Sequence, residues 1–147
     1  MIHCIMVWLY QWLEDEPLYL LLKRTPDLGG YWQPVTGYIE PPETNRAAAL
    51  RELAEETGIE KYEQVFDPHH FYFFDMNGKK CAMTVLAVEV KNPPPIRLSE
   101  EHTACQWLSY AEARRKLYWP NNKEALDILH AKLLTQGTAK NVDLDGS

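Results

Sequence analysis

The segment from Gly37 to Ile59 leaves the chain few options, because it reads as a turn, a helix and a stop. Gly37 and the pair Pro41-Pro42 punctuate a loop, since glycine admits unusual backbone angles and proline fixes φ. Thr44 or Asn45 can cap the helix start, and Ala47-Ala48-Ala49-Leu50 are strong helix formers. Gly58 supplies the C-terminal stop. At about 100° per residue, Glu52, Glu55 and Glu56 fall within roughly a third of the circumference. Ala47, Leu50, Leu53 and Ala54 make the other side apolar.

Three carboxylates so close repel one another by several tenths of a kcal/mol per i,i+4 pair or more. A run of glutamates on a helix is by default a solvated face. Two neighbours argue against that default here. Arg51 sits beside the acids and can pair with Glu43, tying the preceding loop to the helix. Gly37 can offer its carbonyl to a cation, because no side chain blocks the approach. Clustered hard oxygen donors select Mg²⁺ or Mn²⁺, and Mg²⁺ is commonly shared between carboxylates and substrate phosphates.

These residues resemble the Nudix box, a Gly, five residues, Glu, seven residues, then Arg-Glu-aliphatic-any-Glu-Glu-any-Gly-aliphatic. Gly37, Glu43, Arg51, Glu52, Glu55, Glu56 and Gly58 fill its fixed positions, with Leu53 and Ile59 in the aliphatic slots. The resemblance implies Mg²⁺-dependent hydrolysis of a nucleoside diphosphate linked to another group. It also implies an α/β fold, an α/β/α sandwich in which the box helix packs on a mixed β-sheet.

The remainder of the chain is consistent with one such domain, residues 1–136, followed by a polar tail, 137–147. At 147 residues a single core needs no disulfides, and a net charge of −6 disfavours general nucleic-acid binding and anionic membranes. Cys4, Cys81 and Cys105 are odd in number and lack metal spacing, so they read as reduced thiols of a cytoplasmic protein. The apolar start, Ile2 to Tyr10, meets Glu14-Asp15-Glu16 too early for a membrane span and reads as a first strand. No pattern specifies an oligomeric state.

Leu18 to Lys23 gives a second strand after the acidic turn, and Tyr31 to Thr36 leads into the box. Phe71-Tyr72-Phe73-Phe74 and Cys81 to Val90 read as a hairpin about Asn77-Gly78. Thr103 to Leu108 is a last strand. Ser109 and Glu112 form a capping box, and Asn121 or Asn122 is expected to cap a final amphipathic helix through Lys132. The order β-β-β-α-β-β-β-α-α suggests a mixed sheet with helices on both sides. His69 and His70, adjacent in a strand, point to opposite faces and are not a paired ligand.

Chemistry assigns the roles. Glu52 and Glu56 are expected as direct metal ligands, Glu55 as sharing metal or polarising water, and Gly37 as giving its carbonyl. Arg51 organises the site with Glu43. Glu55, Glu56 or Glu101 can serve as the general base. Arg24 is a candidate phosphate contact, Trp32 can border a base-like ring, and Thr36 can meet a phosphate oxygen. Tyr31-Trp32-Gln33-Pro34-Val35-Thr36-Gly37 is similar to the Trp-Gln-any-Val-Thr-Gly lead-in of bacterial dihydroneopterin triphosphate diphosphatases, which also act on nucleoside triphosphates. Glu101-His102, followed by Trp107-Leu108, resembles their Glu-His…Trp-Leu segment, whose Glu is a metal ligand. That resemblance implies a small nucleoside or pterin polyphosphate as partner, dihydroneopterin triphosphate or a (d)NTP, cleaved to monophosphate and pyrophosphate. Pro120 stands where that subgroup has a substrate-touching Ser. Diadenosine tetraphosphate hydrolases share a similar Glu-His…Trp segment and form the alternative, with a non-catalytic nucleotide-binding module as a third.

Overall fold

The computed structural model describes residues 1–146, and the stretch expected as a polar tail from Gly137 falls within its last helix. The first apolar run forms β1 (Ile2–Leu13), which turns through Glu14-Asp15 into β2 (Glu16–Arg24). Only Glu14 and Asp15 remain outside the two strands, Glu14 at a positive φ of 57°, so Glu16 of the acidic turn already belongs to β2. A 3-10 turn (Pro26–Leu28) interrupts the next loop. The lead-in to the box is two short strands, β3 (Trp32–Gln33) and β4 (Val35–Tyr38). Pro34 divides them, since it has no N–H for a ladder.

Helix α1 (Asn45–Thr57) follows, capped by the Thr44 side chain, which accepts from Ala47 N at 3.1 Å. Gly58 ends it at φ 78°, in the left-handed region. Strands β5 (Gln64–Met76) and β6 (Lys79–Glu89) are joined at Asn77-Gly78, both at positive φ, as a two-residue hairpin of this type requires. A bulge between Phe66 and His70 places His69 at φ 55°. Strand β7 (His102–Leu108) leads through Ser109 into α2 (Tyr110–Lys116). The last helix, α3 (Pro120–Gly146), begins one residue before the expected Asn121 or Asn122 cap. Proline suits a first helical position, so the two asparagines lie inside the first turn.

The seven strands make one mixed sheet in the order β3-β2-β1-β6-β5, with β4 against β1 and β7 against β2. Only β1 and β6 run parallel. Strand β1 is buried on both faces, which is why it reads as a continuous apolar run rather than an alternation. Ile5, Val7 and Leu9 pack with Ala48, Ala49 and Leu53 of α1. Met6, Trp8 and Tyr10 pack with Ala113 of α2 and Leu126 and Leu129 of α3. Helices thus cover both faces, the expected α/β/α sandwich. Among the described residues no helix is long and apolar enough to cross a membrane.

Candidate active site

Strand β4 aligns with β1 so that Gly37 lies opposite Ile5, at the end of the sheet where α1 crosses. A Cβ added at Gly37 would fall inside the carboxyl group of Glu52. Only glycine therefore lets the loop backbone and this acid share the space. Arg51 locks the loop to the helix through a bidentate pair with Glu43, Nε to Oε2 at 2.7 Å and one terminal nitrogen to Oε1 at 2.9 Å. The same nitrogen donates to the Tyr38 carbonyl at 2.8 Å. Its guanidinium holds the Glu43 carboxyl down at about 2, with the Glu40 backbone amide contributing. The other terminal nitrogen reaches Glu52 at 2.8 Å and Glu55 at 3.4 Å. Arg51 thus joins Glu43, the Tyr38 carbonyl, Glu52 and Glu55.

Glu56 differs from its neighbours. It is 4% exposed, and its Oε2 finds no hydrogen-bond partner among the described residues. Burial, then the charges of Glu52 and Glu101, push its carboxyl up to about 9. Burial also raises Glu52, against the pull of Arg51. A buried carboxylate without a donor is costly, and a cation is the species that relieves it. Among the described residues no three His, Cys, Asp or Glu side chains form a closed metal cage. The donors still fit a hard divalent ion: all are oxygens, they face one cleft, and one is orphaned.

That cleft has a volume of about 1270 Å³. Gly37, Glu52, Glu55, Glu56 and Glu101 all line it, as do Arg24 and Thr36. Arg24, a candidate phosphate contact by sequence, has a buried Nε with no hydrogen-bond partner among the described residues. Glu101 arrives on the turn before β7, tied by its carbonyl to Thr25 N at 3.0 Å. Trp32 is a correction. It does not line the cleft; it packs toward α2, with the Lys116 ammonium 4.8 Å from its ring centre. Tyr31 and Gln33, the residues either side of it, are the ones that reach the cleft, as strand alternation dictates.

Sequence reasoning also missed the aromatic walls. Tyr31 stacks on Tyr118 at 5.8 Å and meets Trp119 edge-on at 5.7 Å, with Arg24 over the Tyr31 ring. Trp119 lines the cleft beside Asn121 and buried Asn122. Tyr72, Phe74 and Met76 of β5 line it as well. The dipeptide Tyr118-Trp119 before a proline was the available signal for the first wall.

Residues 6–129 match the family model described as NUDIX domain. The chain is 31% identical over 107 residues to a bis(5'-nucleosyl)-tetraphosphatase (asymmetrical) of Caenorhabditis elegans, covering 71% of this chain and 77% of that protein. It is 32% identical over 126 residues to a dihydroneopterin triphosphate diphosphatase of Haemophilus influenzae, covering 77% and 78%. A Myxococcus xanthus protein named octanoyltransferase is 32% identical over 113 residues, 76% of this chain, but the match spans only 32% of that protein's length. A solved C. elegans Ap4A hydrolase binary complex superposes with a TM-score of 0.78 at 27% identity, covering 90% of this chain and 98% of that one.

Proposed function

Because the chain belongs to the Nudix family of hydrolases, we propose that it cleaves a phosphoanhydride bond of a nucleoside-triphosphate-like substrate, dihydroneopterin triphosphate or a (d)NTP, with Mg²⁺ or Mn²⁺. The observation that carries this reading is buried Glu56, whose Oε2 has no hydrogen-bond partner among the described residues, beside Glu52 and Glu101 in a cleft that also holds Arg24 with its Nε likewise unbonded. Glu52, Glu56, Glu101 and the Gly37 carbonyl hold the ion, which supplies charge neutralisation and a more acidic water when bound. Arg24 and Thr36 grip phosphate oxygens. Arg51 and Glu43 fix the loop against the helix. Glu55, with its side chain 57% exposed at the cleft, takes the proton from the attacking water. That water's oxygen bonds to phosphorus, the bridging P–O bond breaks, and its electron pair leaves with the departing phosphate. The products are a monophosphate and pyrophosphate.

A second reading, asymmetric cleavage of diadenosine tetraphosphate, is favoured by the shape of the cleft. Its volume exceeds the roughly 300–1,000 Å³ common for small ligands. Its aromatic lining comes from separate elements, Tyr31 and Trp119 from the segments just before β3 and α3, Tyr72 and Phe74 from β5. A substrate with a ring at each end of a polyphosphate fits such a cleft.

One assay separates these. The protein is incubated with Mg²⁺ and dATP, dihydroneopterin triphosphate or diadenosine tetraphosphate, and products are resolved by chromatography. Pyrophosphate with a monophosphate supports the first reading, and ATP with AMP the second. Cleavage that survives unchanged in Glu56→Gln would remove the site from this cleft.

A further inference from the structure

His102 opens β7 directly after Glu101, and its side chain is fully buried. None of the roles assigned above uses it. Its Nε2 stands 3.7 Å from Glu56 Oε1, and neither that nitrogen nor Glu56 Oε2 has a hydrogen-bond partner among the described residues. Its Nδ1 stands 3.5 Å from Ser99 Oγ, at the limit of a hydrogen bond. Ser99 Oγ already accepts the Glu101 backbone N–H at 3.3 Å. With one lone pair accepting from Glu101, the Ser99 hydroxyl still has its hydrogen to donate to Nδ1. A neutral imidazole carries one N–H. With Nδ1 accepting, that N–H lies on Nε2, aimed at Glu56. The His102 backbone N–H returns to the Ser99 carbonyl at 3.3 Å and closes the turn.

We propose that His102 is a positioning residue for the metal site: its Nε2–H steers the Glu56 carboxylate while Nδ1, through Ser99, fixes the turn that presents Glu101. The ring thereby sets the spacing between an acid on α1 and an acid on the loop before β7, two elements with no covalent reason to agree. This inference rests on the reading above that Glu56 and Glu101 are ligands. His102 touches neither substrate nor ion. Partners of this kind that orient a ligand typically change metal affinity about 10- to 100-fold when removed.

The test compares His102→Gln, which places an amide N–H near the Nε2 position, with His102→Asn, which places one near Nδ1, and with His102→Leu, which retains only packing. Mn²⁺ affinity is measured by electron paramagnetic resonance on substrate-free protein. Melting temperature in EDTA and cleavage of dATP and diadenosine tetraphosphate are measured in parallel. Expected is a loss of Mn²⁺ affinity of about 10- to 100-fold in His102→Leu and His102→Asn, largely restored in His102→Gln. Restoration in Gln but not Asn, at equal melting temperatures, marks positioning through Nε2; a purely structural ring would not separate the two amides. Wild-type Mn²⁺ affinity in His102→Leu, or Gln and Asn equally impaired at equal melting temperatures, overturns the inference while leaving the metal-dependent reading intact. Wild-type protein that neither binds Mn²⁺ nor cleaves either substrate removes that reading and this inference with it.

Discussion

Glu56 carries the sharpest electrostatic conflict in the molecule. Its folded carboxyl titrates near 9, raised chiefly by burial, against an ordinary value of 4.5. Between those values the folded chain binds more protons than the unfolded chain, so stability falls as pH rises through the window. Metal-free protein in EDTA is therefore expected to melt at progressively lower temperature from pH 6 to pH 9, as followed by scanning calorimetry. Glu56→Gln, neutral and of the same shape, should flatten that slope. A wild-type profile no steeper than the variant's would mean that no buried charge is being forced. Gly37 makes the complementary case. Alanine there displaces the Glu52 carboxylate, the end of a flexible side chain, rather than backbone. Gly37→Ala should thus melt within a few degrees of wild type yet lose Mn²⁺ affinity by tenfold or more, in line with the loss of one oriented ligand. Unchanged Mn²⁺ titrations would show that the close approach at Gly37 has no part in the site.

At the scale of elements, α1 is set by its ends as much as by its core face. Thr44→Ala removes the acceptor for Ala47 N and should cost about 1 kcal/mol. That amounts to a fall of roughly 2–4 °C in melting temperature for a chain of this size. Calorimetry showing no change would place the helix start elsewhere. These ends were legible because capping chemistry is local: Thr44, Gly58, Ser109 and Asn77-Gly78 act within four residues of where they stand. The final helix was misjudged by the same logic, since Pro120 at a first helical position needs no asparagine cap. Trp32 failed for a different reason. Pro34 splits the lead-in into two short strands, and which face of β3 meets the cleft depends on pairing with Leu22 and Lys23 of β2. No local pattern encodes that pairing. The box acids, by contrast, share one helix face by periodicity alone, so the chemical centre could be read while its aromatic surroundings could not.

Across the whole molecule, the fold brings aromatic side chains from separate elements into the cleft that the carboxylates line. Trp119 stands just before α3 and Phe74 lies on β5, residues brought to one cleft by the tertiary fold rather than by any local pattern. A substrate with a single ring can stack on one wall, whereas a substrate with two rings can engage both. Base–aromatic stacking contributes about 1–3 kcal/mol per base, which corresponds to roughly tenfold or more in affinity. Trp119→Ala and Phe74→Leu should each raise KM for diadenosine tetraphosphate by about that factor if the polyphosphate spans the cleft. With dATP only one of the two variants should do so, and the other serves as its control. Steady-state kinetics on both substrates decides the matter: a Phe74→Leu enzyme with unaltered KM on every substrate would confine recognition to the Tyr31–Trp119 wall and leave the one-ringed substrate as the better fit.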